Sequence, residues 1–469
     1  MQGQHKVPSF ATPFEFDMLM LEPVHHMMFT GIRIDQKKKK ENQDAAIEEW
    51  KKNQELLDQI TGYQNFNAEG KKIVPDYLYN ELGLNKKTKK NKITADEAAI
   101  RTIMAECKGK INNLKTLQAK EKYMRGYLAC LQILRVRGIR KRISSYLGMQ
   151  IKKGTLAGEV PLEDEDGRIR GTISVGGTET GRFSHSKTLW DTGVNLATIP
   201  RKLRSMFIAD DGYELAELDL NRGESWVYAH LSQDPELLRI HLDGLDFHAE
   251  TAATISSAFG EKDLSVDWII EHKDDEAYKI RYLAKRVNHA SSYRMKAFKG
   301  AESVNKEADE TGIVVSVSEF NAARKLWLER YEYVPNVWWP SIESELDRTR
   351  TMVTPYGRVH QFHDRWGEEL FKAATAYVPQ STSVDYLNRG FLKVYHQFVK
   401  PGAWGLKILA QTHDSLLIQY KLGCRDECLN EVARAMTSTL VINDREFSIP
   451  VEPQYGQSWG STKTFKLSA

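Results

Sequence analysis

Tyr213-Glu214-Leu215-Ala216-Glu217-Leu218-Asp219-Leu220-Asn221-Arg222-Gly223-Glu224 opens with six residues in which apolar and polar side chains partly alternate, as in a half-buried strand. Beyond it Trp226, Val227, Ala229, His230 and Leu231 follow helical spacing, so Asp219 falls where a strand gives way to a helix. A second acidic joint, His413-Asp414-Ser415, lies 195 residues further on, between Leu406-Lys407-Ile408-Leu409-Ala410-Gln411-Thr412 and Leu416-Leu417-Ile418-Gln419-Tyr420. Both flanks are rich in strand formers, which puts Asp414 at the turn of a β-hairpin. Single aspartates are common in turns because they accept local backbone hydrogen bonds, and either one alone is a weak signal. Carboxylates at two strand ends, however, can meet on one sheet and hold two divalent cations about 3.5–4 Å apart for phosphoryl transfer. The pair points to a nucleotidyl transferase.

A chain of 469 residues exceeds what one core supports, and two to four subdomains are expected. No apolar run approaches the roughly 18–20 residues that span a bilayer. Met1-Gln2-Gly3-Gln4-His5-Lys6 lacks the apolar stretch of a secretory signal. These features predict a soluble intracellular protein with no membrane partner. Cys107, Cys130, Cys424 and Cys428 are too few and scattered for a disulfide scaffold.

The net charge of +3 hides an asymmetry, because residues 1–155 carry 29 Lys/Arg against 17 Asp/Glu and the remainder is net acidic. Such a division suits a chain that grips a polyanion with one part and binds metal with another. The densest basic clusters are Lys37-Lys38-Lys39-Lys40, Lys86-Lys87-Thr88-Lys89-Lys90-Asn91-Lys92 and Arg135-Val136-Arg137-Gly138-Ile139-Arg140-Lys141-Arg142. In the last, arginines interleave with apolar residues on a predicted helix, and Arg137 and Arg140 are candidate nucleic-acid contacts.

Helical spacing runs over 45–60 and 95–146, interrupted by the Gly/Lys-rich loop 83–92, and 153–200 is turn-rich. A long helical block follows over 247–350. Within it, over 278–298, Arg281, Lys285, His289 and Tyr293 recur every four residues. Residues four apart stack on nearly one helix face, and three such steps cover roughly 18 Å. That length matches a nucleoside triphosphate, with Arg281 and Lys285 suited to phosphates and Tyr293 to a base.

Asp219-x-x-x-x-Glu224 followed by Ala229-His230-Leu231-Ser232 resembles motif A of the DNA polymerase I family (family A), phage or bacterial type. The Arg281/Lys285/Tyr293 stripe resembles its motif B, and Gln411-Thr412-His413-Asp414 its motif C. Further matches fall in order: Thr180-Gly181-Arg182-Phe183-Ser184, Asp246-Phe247-His248, Tyr356-Gly357-Arg358, Pro379-Gln380 and Val451-Glu452 to Trp459. The resemblance implies an α+β right-hand polymerase fold with an antiparallel palm sheet. An N-terminal segment and basic helical thumb would fill 1–200, a first palm part 201–245, the fingers 246–350 and a second palm part 351–469.

The same resemblance implies that Asp219 and Asp414, with the backbone carbonyl of Leu220, bind two magnesium ions (Mg2+, with Mn2+ a substitute). His248, Arg281 and Lys285 would hold the triphosphate, and Lys285 would protonate the departing pyrophosphate. Glu224 would be a steric gate against a ribose 2′-hydroxyl, with Tyr293 closing the pocket and His289 beside the sugar. Arg182 and Gln380 would read the minor groove at the primer end, and His413 the terminal nucleotide. The expected partners are primer-template DNA and deoxynucleoside triphosphates (dNTPs), in the cytoplasm of a bacterial cell or an infected host. A proofreading exonuclease domain is not expected in this chain; a separate exonuclease, helicase-primase or processivity factor could accompany it.

Five positions depart from the family pattern: Ser415 stands where a glutamate usually follows Asp414, Arg222-Gly223 replaces Gln and an aliphatic residue, Arg294 replaces a glycine, and His289 replaces Phe or Tyr. They keep open a polymerase-shaped DNA-binding or replisome scaffold protein. A single-subunit RNA polymerase, the other alternative, is disfavoured by Glu224.

Overall fold

The strand read from the opening stretch forms over Tyr213–Leu220 and lies third in a five-stranded antiparallel sheet. In the computed structural model, which describes residues 7–152, 155–261 and 264–468, it is flanked by Ser415–Lys421 and Val451–Gly456. Lys407–Gln411 and Lys463–Thr464 complete the edges. The Met1 to Lys6 stretch read for a secretory signal lies outside the described residues. Period-two alternation separates the faces of the central strand. Ala216, Leu218 and Leu220 enter one core with Leu416, Ile418 and Phe391; Leu215 enters another with Leu417. Glu217 and Asp219 share the face of Leu215.

Three hydrophobic cores divide the chain. The first joins the helices Gln36–Thr61, Glu97–Asn113 and Leu117–Tyr146 through Trp50, Leu57, Ile100, Ile103, Ile133 and Ile143. The second runs from Tyr228 to Val378 and centres on Leu283, Val287, Phe320 and Trp327. The third lies between the sheet and the helices Glu368–Val394 and Arg425–Met436.

Tertiary packing redraws several expected boundaries. Phe16, Met20, Val24 and Met27, from the helices Pro13–Leu19 and Leu21–Thr30 and the residue joining them, pack into the third core, against the sheet, and not into the first. The second core passes residue 350 and takes in Leu370, Ala374 and Val378 on the long helix below the sheet. The helical span 95–146 is two helices, because Leu114 turns extended and Thr116 caps the next one by accepting from the Ala119 N–H. The helix expected over 278–298 ends at Ser292. Among the described residues no helix is long and apolar enough to cross a membrane.

Candidate active site

Asp219 and Asp414 come together at the sheet's end. Asp219 lies opposite Ser415 in the antiparallel register. The hairpin turn at Thr412-His413-Asp414 is closed by the Thr412 N–H donating to the Ser415 carbonyl at 2.9 Å. The Leu220 N–H donates to the Asp414 carbonyl at 2.8 Å, tying the two acidic joints directly. Neither carboxylate accepts a hydrogen bond among the described residues. Burial first, then Asp414, Glu217 and Glu452, push the Asp219 carboxyl up to about 7. Burial, with Glu224, pushes Asp414 up to about 6. Two desolvated carboxylates without donors form a site that divalent cations would neutralise, so the residues present fit a metal pair.

Asp219, His413 and Asp414 form a ridge between two cavities, and the larger, about 860 Å³, is roofed by the helix Tyr278–Ser292. That helix forms because Ile280, Leu283, Ala284 and Val287 bury one stripe in the second core. Arg281, Lys285 and His289 are thereby aimed into the cavity. Asp246 accepts from Arg281 at 2.7 Å and caps the helix Phe247–Ile255 through the N–H groups of His248 and Ala249. One carboxylate thus fixes both Arg281 and the start of the His248 helix. The cleft walls hold the pKa of Lys285 below its usual value, with Arg201, Arg286 and Arg281 adding to that shift. Burial drops His248 to about 4, so it faces the cavity as a neutral imidazole. His289 is open to the cleft, yet the surrounding walls lower its pKa too, which leaves a neutral ring at pH 7.

At the floor, Glu224 accepts from Arg182 at 2.8 Å and from the Tyr293 hydroxyl. The His289 ring meets Tyr293 edge-on at 5.4 Å. Glu224 therefore links the Thr172–Ser174/Ser184–Ser186 hairpin region, through Arg182, to the end of the roofing helix.

The departures from pattern have structural accounts. Ser415 hydrogen-bonds Glu217 at 2.9 Å. Arg222 adopts left-handed backbone (φ 56°) at the start of Gly223–Ser232 and donates to the Leu245 carbonyl at 2.8 Å. Arg294 is also left-handed (φ 60°), the region where glycine is free and other residues are strained by about 1–2 kcal/mol. Its guanidinium offsets that cost by pairing with Glu343 and lying 5.0 Å over Trp339 and 5.1 Å over Phe371. Arg294→Ala is expected to lower the melting temperature most. Arg294→Gly should fall between it and the parent, recovering about 1 kcal/mol of backbone strain; an Ala variant as stable as Gly in thermal melts would refute this account.

Some predicted residues lie away from this cavity. Gln380 is half-buried on Glu368–Val394, which packs against Gly223–Ser232, and lines neither cavity. Arg137 donates to the carbonyls of Ala68 and Ala95, and Arg140 to that of Ile151 and to Glu69. Both tie segments of the first core together, and a phosphate would have to replace those bonds. Sequence reading missed Asn288, whose Oδ1 accepts from Thr251 and Trp327 while its Nδ2 lies 3.2 Å from the His248 ring. An amide on the buried stripe of the helix was its only signal. It also missed Glu217, Arg201 and Arg204 beside Asp219.

The profile of DNA polymerase family A matches residues 36–461. The thermostable DNA polymerase I of Thermus aquaticus is 25% identical over 461 residues, covering 93% of this chain and 47% of its own length. DNA polymerase I of Helicobacter pylori is 25% identical, covering 82% and 37%, and the Thermus filiformis enzyme 28%, covering 67% and 35%. The chain thus spans about a third to a half of the length of these curated relatives. A solved M. smegmatis polymerase domain, in complex with DNA primer-template and dNTP, superposes with a TM-score of 0.70 at 21% identity, over 95% of this chain and 70% of that one.

Proposed function

The chain belongs to DNA polymerase family A, and from that premise we propose that it adds deoxynucleotides to a primer 3′-hydroxyl on a DNA template. The observation that carries this reading is the donor-free carboxylate pair Asp219/Asp414, set in one cavity with Arg281, Lys285 and His248. Asp219, Asp414 and the Leu220 carbonyl would hold two Mg2+ ions, or Mn2+. When bound, the ions would supply the charge that lowers the pKa of the primer hydroxyl and neutralises the leaving pyrophosphate.

The chain's own residues do the rest. Arg281, already oriented by Asp246, and the neutral His248 receive the phosphate oxygens. Lys285, its proton loosened by the cleft, passes that proton to the pyrophosphate as the α-phosphorus bond to it breaks. Tyr293 and His289 wall the base and sugar, and Glu224 occupies the space of a 2′-hydroxyl. Arg182 and His413 face the primer terminus, and Gln380 lies on the helix beneath. The minor-groove acceptors they would meet are shared by every correct pair, so such contacts test geometry without choosing sequence.

Primer extension with deoxy- and ribonucleotides supplied separately tests the reading: deoxynucleotides alone should extend the primer, and only with divalent metal. No extension with either set would favour a DNA-binding scaffold. Position 289 gives a finer test. A neutral imidazole can hydrogen-bond the sugar 3′-hydroxyl, and such a bond is worth about 1 kcal/mol. His289→Phe should therefore raise dideoxynucleotide use relative to deoxynucleotide by roughly fivefold; equal ratios in both proteins would count against that bond.

A further inference from the structure

Glu217 precedes Asp219 by two residues on the same strand face and lines the second cavity, of about 480 Å³, with Asp219, His413, Asp414 and Ser415. Both its oxygens are held. Oε1 accepts from Ser415 Oγ at 2.9 Å and Oε2 from Trp459 Nε1 at 3.0 Å, and Arg204 lies 3.3 Å from each. Ser415 is itself fixed by Thr412 at 2.6 Å, and Arg204 stacks 4.3 Å over Trp459. The side chain is only 15% exposed.

A third carboxylate beside two others is repulsive, an effect that Arg204 lessens for Glu217 and that a cation at Asp219 and Asp414 would remove. The register explains why it is here. Ser415 lies opposite Asp219 and diagonally adjacent to Glu217, within reach of its side chain. A carboxylate at 415 and one at 217 would compete for one space; this chain has a hydroxyl at the first and the carboxylate at the second. Both Glu217 oxygens already accept from Ser415, Trp459 and Arg204, so Glu217 acts from outside the ligand set.

We propose that Glu217, oriented by Ser415, is a positioning carboxylate of the metal centre, carrying on the central strand the acidic group that the hairpin lacks at Ser415. It strengthens the negative field at Asp219 and fixes the strand end that presents it. This rests on the two-metal reading above. The competing role, a latch that only ties Trp459 and Arg204 to the sheet, predicts lost stability without lost metal affinity.

Binding of manganese to the full chain, followed by electron paramagnetic resonance without substrate, separates these roles. Outer groups of metal sites typically change affinity by about 10–100-fold. Glu217→Gln, which keeps shape but loses charge and turns one acceptor into a donor, should weaken manganese binding by about tenfold while the protein, though less stable, stays folded. Glu217→Ala/Ser415→Glu should bind manganese more tightly than Glu217→Ala. Native affinity in Glu217→Gln overturns the proposal, as does a folded exchange variant no better than Glu217→Ala; if the exchange variant does not fold, Glu217→Gln decides. Asp219→Asn is the control: if it also binds manganese like the parent, the metal site itself is wrong, whereas if it alone loses binding, only the role of Glu217 falls.

Discussion

Asp219→Asn and Asp414→Asn are each expected to reduce metal-dependent primer extension by about a thousandfold or more, since a catalytic ion contributes several kcal/mol and each 1.4 kcal/mol is about tenfold in rate. Asparagine preserves shape, and neither carboxylate has a donor to lose, so the fold should survive. Without metal the variants should melt at or above the parent, because each removes one of two mutually repelling buried charges. The pH dependence follows from the same charges. Asp219 holds its proton to about 7 in the folded chain against an ordinary 3.8, so the native state binds more protons than the unfolded one between those values. The contribution of Asp219 to metal-free stability should therefore be greatest in acid and be lost as pH rises from about 4 to 7, read as the difference between the parent and Asp219→Asn. Added magnesium must displace that proton below 7, so its stabilising thermal shift should grow from pH 5 to 7 and level off above. A magnesium shift that ignores pH, or active Asn variants, would sink the site assignment.

Glu224→Ala is expected to admit ribonucleotides, with the ratio of kcat/KM for deoxy- over ribonucleotides falling by about a hundredfold, the discrimination that exclusion of one extra hydroxyl typically reaches. The carboxylate sits beneath Tyr293 and is clamped by Arg182 on its other oxygen, so it cannot swing aside for a 2′-hydroxyl without breaking both bonds. Glu224→Gln keeps the volume and should keep most of the selectivity, at some cost to the Arg182 and Tyr293 contacts. Unchanged selectivity in the alanine variant would remove the gate and reopen the RNA polymerase alternative.

Much of this centre was legible in the chain because its signals are local. Alternation set the strand into Asp219, strand formers bracketed Asp414, and four-residue spacing put Arg281, Lys285 and His289 on one helix face. Each is a short-range property of backbone geometry. At Arg135–Arg142 the limit is the complementary one: charge is visible in sequence, but the carbonyls of Ala68, Ala95 and Ile151 that Arg137 and Arg140 meet are not. Likewise Arg294 read as an anomaly until its left-handed backbone and its seat over Trp339 and Phe371 were seen.

The amino-acid sequence by itself determined the antiparallel strand pair, the helix that faces it and the two aspartates, since period-two and period-3.6 patterns operate over a few residues. Only the tertiary structure decided that Asp219 and Asp414 share one desolvated ridge between two cavities, that Asp246 orients Arg281, and that Glu217 is joined to Ser415. Those contacts unite residues from 35 to 198 positions apart, and strand register and core packing, not local preference, fix which of them meet.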